Sequence, residues 1–160
     1  VETPSGAVLA VDVGRARTGV AVSDPGRTVA SPLATVAGDA AADPAGVARQ
    51  VADLVVRHGA TLVVVGLPLN LSGAEGPSAA LARRFAGELA AATPVPVRLV
   101  DERFTTTTAH RRLRETGRSE RRRRPVVDRA AATVLLQHVL DAAGAGTDLG
   151  RPASEGVGAA

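Results

Sequence analysis

Asp12, Glu102 and Asp128 are three acids placed where strands or helices should end or begin. Asp12 follows the apolar run Val8-Leu9-Ala10-Val11 and precedes Val13. A carboxylate in such a strand is costly to bury unless it is paired or holds a cation. Glu102 follows a second apolar stretch, residues 95–100, within Asp101-Glu102-Arg103. Strand alternation leaves open which of Asp101 and Glu102 faces inward, although the longer Glu102 reaches further across strands. Asp128 opens the last apolar-periodic helix. Steps of four from it reach Ala132, Leu136 and Leu140, and Ala131, Leu135 and Val139 complete the stripe. A helix N-terminus favours an acid, but that does not require it to share the core-facing side. Carboxylate oxygens are hard ligands suited to Mg2+ or Mn2+. Two such ions can hydrolyse a phosphodiester, one lowering the pKa of an attacking water and the other stabilising the leaving 3′ oxygen. Asp12 is the expected bridge between them, with Glu102 and Asp128 each completing one.

A cationic segment lies beside the last acid. Residues 111–129 hold nine Arg against Glu115, Glu120 and Asp128, a local excess of six positive charges in a chain of net +3. The remainder is therefore acidic, and the positive charge is a patch. Arg121, Arg122, Arg123 and Arg124 are the expected grip on a nucleic-acid backbone. Arg15 and Arg17 in the turn after Asp12, Arg103 beside Glu102, and Asn70 after the fourth strand are further candidate contacts. Ser72, His110 and the hydroxyls of Thr105 to Thr108 are weaker ones, each with an ordinary role in loop bonding, capping or surface polarity.

Composition narrows the classes. The chain has 160 residues, 45% hydrophobic and 22% charged, as for one ordinary globular domain. Phe85 and Phe104 are its only aromatics, so recognition of single strands by base stacking is disfavoured. All 19 basic residues are Arg. With no Cys, thiolate nucleophiles, disulfides and Cys-based zinc sites are excluded. The longest apolar run, residues 62–69, is too short to span a bilayer, and the N-terminus does not read as a secretory signal. A cytoplasmic protein without a membrane partner is expected.

Three strands come first, at residues 7–13, 18–23 and 28–36, joined by turns at Gly14-Arg15-Ala16-Arg17 and Asp24-Pro25-Gly26. Pro32 restricts the third to an edge or a bulge. Asp43-Pro44 starts a helix that Gly59 closes. A buried strand follows at 61–65, then a loop at 66–73, a helix at 78–92 and a strand at 97–100. The pattern ends with a helix at 106–115, a basic loop at 117–125 and a helix at 126–143. This is an α/β fold with a mixed five-stranded sheet, three antiparallel strands and then parallel ones, flanked by helices. If strand one is central, Asp12 and Glu102 sit at carboxyl ends two strand spacings apart, roughly 10 Å. The domain is expected over residues 1–143, with a disordered tail over 144–160.

Several segments together resemble the YqgF/RuvX family, which has the RNase H-like fold of the RuvC resolvases. They are Val11-Asp12-Val13-Gly14, Thr18-Gly19-Val20-Ala21-Val22-Ser23-Asp24, Val65-Gly66-Leu67-Pro68-Leu69-Asn70 with Gly73, and Glu75-Gly76-Pro77. Asp101-Glu102-Arg103-Phe104-Thr105-Thr106 and Val127-Asp128-Arg129-Ala130-Ala131 complete the series in family order. Phe104 stands where the family commonly has Leu. The resemblance implies a metal-dependent nuclease that matures the 5′ end of pre-16S ribosomal RNA or resolves Holliday junctions. It implies acidic positions at Asp12, Glu102 and Asp128. The expected partner is nucleic acid, as structured RNA or branched DNA, and junction resolution would require a homodimer.

Two other classes compete. An actin-like ATPase also carries an Asp-x-Gly phosphate loop, but it needs two such domains and this chain has one copy. A non-catalytic nucleic-acid-binding module would need only the Arg patch, and it leaves the three acids unexplained.

Overall fold

The computed structural model describes residues 5–102, 124–144 and 151–152, with backbone alone for 124–128 and 151–152. The order is β1 (Ala7–Asp12), β2 (Arg17–Ser23), β3 (Ala30–Ala37), α1 (Pro44–Arg57), β4 (Ala60–Leu67), α2 (Pro77–Ala92), β5 (Val97–Asp101), α3 (Arg124–Gly144) and β6 (Arg151–Pro152). The helix expected at 106–115 lies outside the described residues, as does most of the basic loop. Its last residues, Arg124 and Pro125, belong to α3, where proline suits a first turn.

The sheet runs β3-β2-β1-β4-β5-β6. β1 pairs antiparallel with β2 and parallel with β4, and β4 pairs parallel with β5. The five expected strands thus have the expected directions. The two-residue β6, within the stretch where a tail was expected, adds antiparallel pairing to β5. β1 is buried on both faces and β4 almost so, as central strands should be. Pro32 is accommodated in both ways open to it. β3 is an edge strand, and its register against β2 shifts as Val20 pairs with Ala34 and Ala21 with Pro32.

The two sheet faces carry different helices. Leu9, Val11, Val20, Val63, Val65, Leu67, Val97 and Leu99 pack with α1 and α2, centred on the fully buried Phe85 and Leu89. Val8, Ala10, Ala21, Leu62 and Val64 pack with Ala132, Leu135, Leu136, Val139 and Leu140 of α3. The period-two alternation of each strand produces this division. Asp43 caps α1, its carboxylate accepting from Gly46 N at 3.0 Å, and Gly59 leaves the helix at φ +59°. Among the described residues no helix is long and apolar enough to cross a membrane.

At the amino ends of the parallel strands, Arg27 Nε donates to Gly6 O at 2.9 Å and its Nη2 to Thr61 Oγ1 at 3.0 Å. The β2–β3 turn is held by Asp24, whose Oδ1 accepts from Thr28 N at 2.8 Å and Val29 N at 2.7 Å. The Val29 and Thr28 amides hold the Asp24 carboxyl below its ordinary 3.8. The ionised form's contribution is therefore complete above the ordinary value and is lost as pH falls through the lower folded value. Asp24→Ala is expected to lower Tm at neutral pH, with the deficit narrowing below about pH 4. Thermal melts of both proteins between pH 2 and 7 check this; a constant deficit would assign the loss to the turn's shape alone.

Candidate functional site

The two buried acids, Asp12 and Glu102, lie at the opposite ends of the parallel strands, where β1, β4 and β5 finish. Along β1, Val8, Ala10 and Asp12 share one face, and Val8 and Ala10 pack on α3. Asp12 therefore points to the α3 side, and it is 2% exposed. Along β5, Val100 packs on the same cluster, and Glu102 follows it at the same parity. Glu102 is 0% exposed, whereas Asp101 is exposed. The ambiguity between the two acids is thus resolved by the pleat, with Glu102 inward. Its backbone is fixed by one further rung of the β4–β5 pairing, Glu102 N donating to Leu67 O at 3.3 Å.

β4 lies between the two acid-bearing strands, so the separation of Asp12 and Glu102 is the two strand spacings expected. The side chain of Glu102 closes much of that distance. A Cβ placed on Gly66 of β4 would lie 2.6 Å from Glu102 Oε2 and 3.0 Å from Leu135 Cδ2 of α3. The carboxylate has thus crossed from β5 to stand over β4. Val11 is paired with Val65, so the next residues, Asp12 and Gly66, are neighbours across the β1–β4 boundary. On its other side Asp12 pairs with Gly19 of β2. The strand neighbours of Asp12 are thus glycines on both sides, and the space over Gly66 holds the Glu102 carboxylate.

Gly66 was expected to open a loop and to break the apolar run. It lies inside β4, which runs on to Leu67. The signal was present in the spacing, because Leu62, Val64 and Gly66 alternate onto one face. Gly14, in the turn after Asp12, has a similar constraint: a Cβ there would collide with the Arg17 carbonyl oxygen. That turn leaves Arg15 exposed and Arg17 partly buried, close in sequence to Asp12.

The loop after β4 is an ordered hairpin. Leu69 bridges Glu75, Asn70 N donates to Ala74 O at 2.9 Å, and Gly73 turns at φ +87°. Arg83 of α2 binds Glu75 and holds its carboxyl below the ordinary value. Asn70 and Ser72 are exposed on this hairpin, on the strand edge where the acids lie.

The backbone of Asp128 belongs to α3, one turn before Ala132. Its side chain lies outside the described residues, as do Arg103, Arg121, Arg122 and Arg123, the Thr105 to Thr108 hydroxyls and His110; Arg124 is placed by its backbone in α3. Among the described residues no three metal-ligating side chains come together. Asp12 and Glu102 are the two that fit a hard divalent cation, being carboxylates on one face and held away from bulk water.

Residues 6–142 match the RuvX family, described as Holliday junction resolvase. The chain belongs to the RuvX family. A curated relative from Streptomyces coelicolor is 49% identical over 150 residues, covering 93% of this chain and 86% of its own. One from a Nocardioides species is 52% identical over 140 residues, covering 86% and 88%. Both carry the name "Putative pre-16S rRNA nuclease". Among solved structures, Thermus thermophilus RuvC in complex with a Holliday junction substrate aligns at TM-score 0.58 and 17% identity, over 92% of this chain and 99% of that one. Thermus thermophilus RuvC also aligns at TM-score 0.55 and 18% identity, over 91% and 99%. These alignments give the RuvX chain the RNase H-like fold of RuvC.

Were the buried acid a metal ligand and the exposed one not, the two would respond differently to substitution. In titrations with Mn2+ by calorimetry, Glu102→Gln is expected to lower affinity at least about tenfold, and Asp101→Asn to bind as the parent does. Equal losses in the two variants would remove the distinction.

Proposed function

We propose that this RuvX chain is a divalent-metal-dependent nuclease that processes the 5′ end of pre-16S rRNA in the cytoplasm, with its nuclease unit spanning residues 1–143. The observation that carries the reading is the burial of Asp12 and Glu102 on one face, at the carboxyl ends of β1 and β5, with the Glu102 carboxylate over Gly66. The names of the relatives support rRNA as the substrate.

Asp12 and Glu102 would hold Mg2+ or Mn2+ together with Asp128 of α3. When bound, the cations supply an activated water and neutralise charge on the scissile phosphate. The remaining work belongs to the protein. Asp12 is held rigid by pairing of its strand on both sides, so its oxygens need little reorganisation. Gly19 adds no side chain beside Asp12 on the β2 side, and on the β4 side the space over Gly66 is taken by the Glu102 carboxylate, which brings the second acid toward the first. Arg15, Arg17, Asn70, Arg103 and Arg121 to Arg124 would orient that strand through its phosphates. Guanidinium contacts of this kind follow charge and carry no sequence information. Substrate choice must then come from the shape of structured RNA.

A second reading has its own observation. The family description and the RuvC complex favour resolution of branched DNA by a homodimer. Incubating the pure protein with a 5′-extended 16S precursor and with a four-way DNA junction, in Mn2+ or EDTA, separates the two. Cleavage of the precursor alone, abolished by EDTA, is the expected result. Junction cleavage by a dimer would replace it, and binding without cutting in either metal condition would end the nuclease reading. Asp12→Asn is expected to keep its fold and its substrate affinity while cleaving about a thousandfold more slowly. Undiminished cleavage by that variant would take Asp12 out of the chemistry.

A further inference from the structure

We infer that Gly66 is a positioning residue for the acid pair: its missing side chain is the volume that the Glu102 carboxylate occupies. The inference rests on the metal-site reading for its purpose and on packing for its content. Glu102 belongs to the end of β5 and Asp12 to the end of β1, with β4 between them. From its own strand line the Glu102 backbone is roughly 10 Å from Asp12. Two carboxylates that share a cation must bring oxygens within about 2 Å of it. Glu102 can approach only by lying across β4, and it does so at the one β4 position on that face without a side chain. Leu62 and Val64, the preceding residues of β4 on that face, are filled and pack on α3.

Alanine at 66 would leave little choice of response. Its Cβ would stand 2.6 Å from Glu102 Oε2, 3.2 Å from Glu102 Cδ and 3.0 Å from Leu135 Cδ2. Separations under 3 Å to an oxygen require movement. Leu135 is 0% exposed and packed in the α3 core, so it gives little. The Glu102 side chain has three rotatable bonds and yields first. It would withdraw toward β5, and the distance to Asp12 would open again. φ at Gly66 is not in the left-handed region, so the constraint there is space.

The competing explanation is that Gly66 only lets α3 lie close, through Leu135. A double-mutant cycle separates the two without reference to activity. Gly66→Ala is made in the parent and in Glu102→Ala, and Tm is measured by calorimetry in EDTA. If the carboxylate fills the volume, Gly66→Ala lowers Tm by roughly 5 °C in the parent and by less than half of that in Glu102→Ala. Should Gly66→Ala fail to fold alone, a folded double variant gives the same answer. An equal fall in both backgrounds, or failure to fold in both, assigns the constraint to Leu135 and overturns the inference.

Mn2+ titration then tests the purpose. Gly66→Ala is expected to lose at least about tenfold in affinity, as for residues that orient ligands from behind. In a Glu102→Asp background the shorter acid no longer meets the new methyl, so the added loss is expected to stay under about threefold. Parent-like Mn2+ affinity in Gly66→Ala overturns the positioning role. Absence of Mn2+ binding by the parent protein instead overturns the metal-site reading, and the Tm cycle still decides what fills the volume.

Discussion

Two carboxylates are kept out of bulk water at the open end of a sheet face whose centre is aliphatic. Taking a carboxylate from water costs several kcal/mol unless something compensates it. The rest of the fold can be understood from that constraint. β1 and β4 are buried and bring an almost unbroken aliphatic core to within one residue of Asp12. The hydrophobic effect drives that core together, and the acids are carried into place by strands whose positions it determines. They gain rigidity without having to supply stability.

The two ends of the parallel strands are finished differently. At the amino ends, Arg27 reaches the carbonyls of the incoming chain and the Thr61 hydroxyl, so polar groups there are satisfied locally. At the carboxyl ends the chain leaves the sheet through the Gly14 turn and the Asn70 hairpin, and acids face inward. In open sheets built on parallel strands, diverging connections make this end the natural place for a ligand. The hairpin is ordered by Arg83 and Glu75, which gives Asn70 a fixed base. α3 closes the face from the other side, and its small residues Ala131 and Ala132 allow close approach to the sheet.

Electrostatics and composition fit a backbone-directed enzyme. With positive charge concentrated in residues 111–129 and only two aromatic side chains, the chain has many ways to hold phosphate and few to stack a base. In the proposed nuclease, affinity would then fall steeply with salt, and discrimination would reside in the three-dimensional form of the nucleic acid.

The types of the elements from β1 to β5 and of α3, and the α/β class, were legible in the sequence because they rest on short-range rules. Continuous apolar runs marked β1 and β4, Asp43-Pro44 marked the start of α1, and Pro32 marked an edge or bulge, each within a few residues of its cause. The resemblance to the family, spread over most of the chain, was what implied acidic positions at Asp12, Glu102 and Asp128. Strand order, register and cross-strand reach were decided only by tertiary structure. Whether Asp101 or Glu102 turned inward depended on the register of β5 against β4. The role of Gly66 depended on a side chain arriving from position 102, which no local pattern encodes. A glycine in an apolar run reads as a break when its neighbours in sequence are considered, and as space when its neighbours across the sheet are in place.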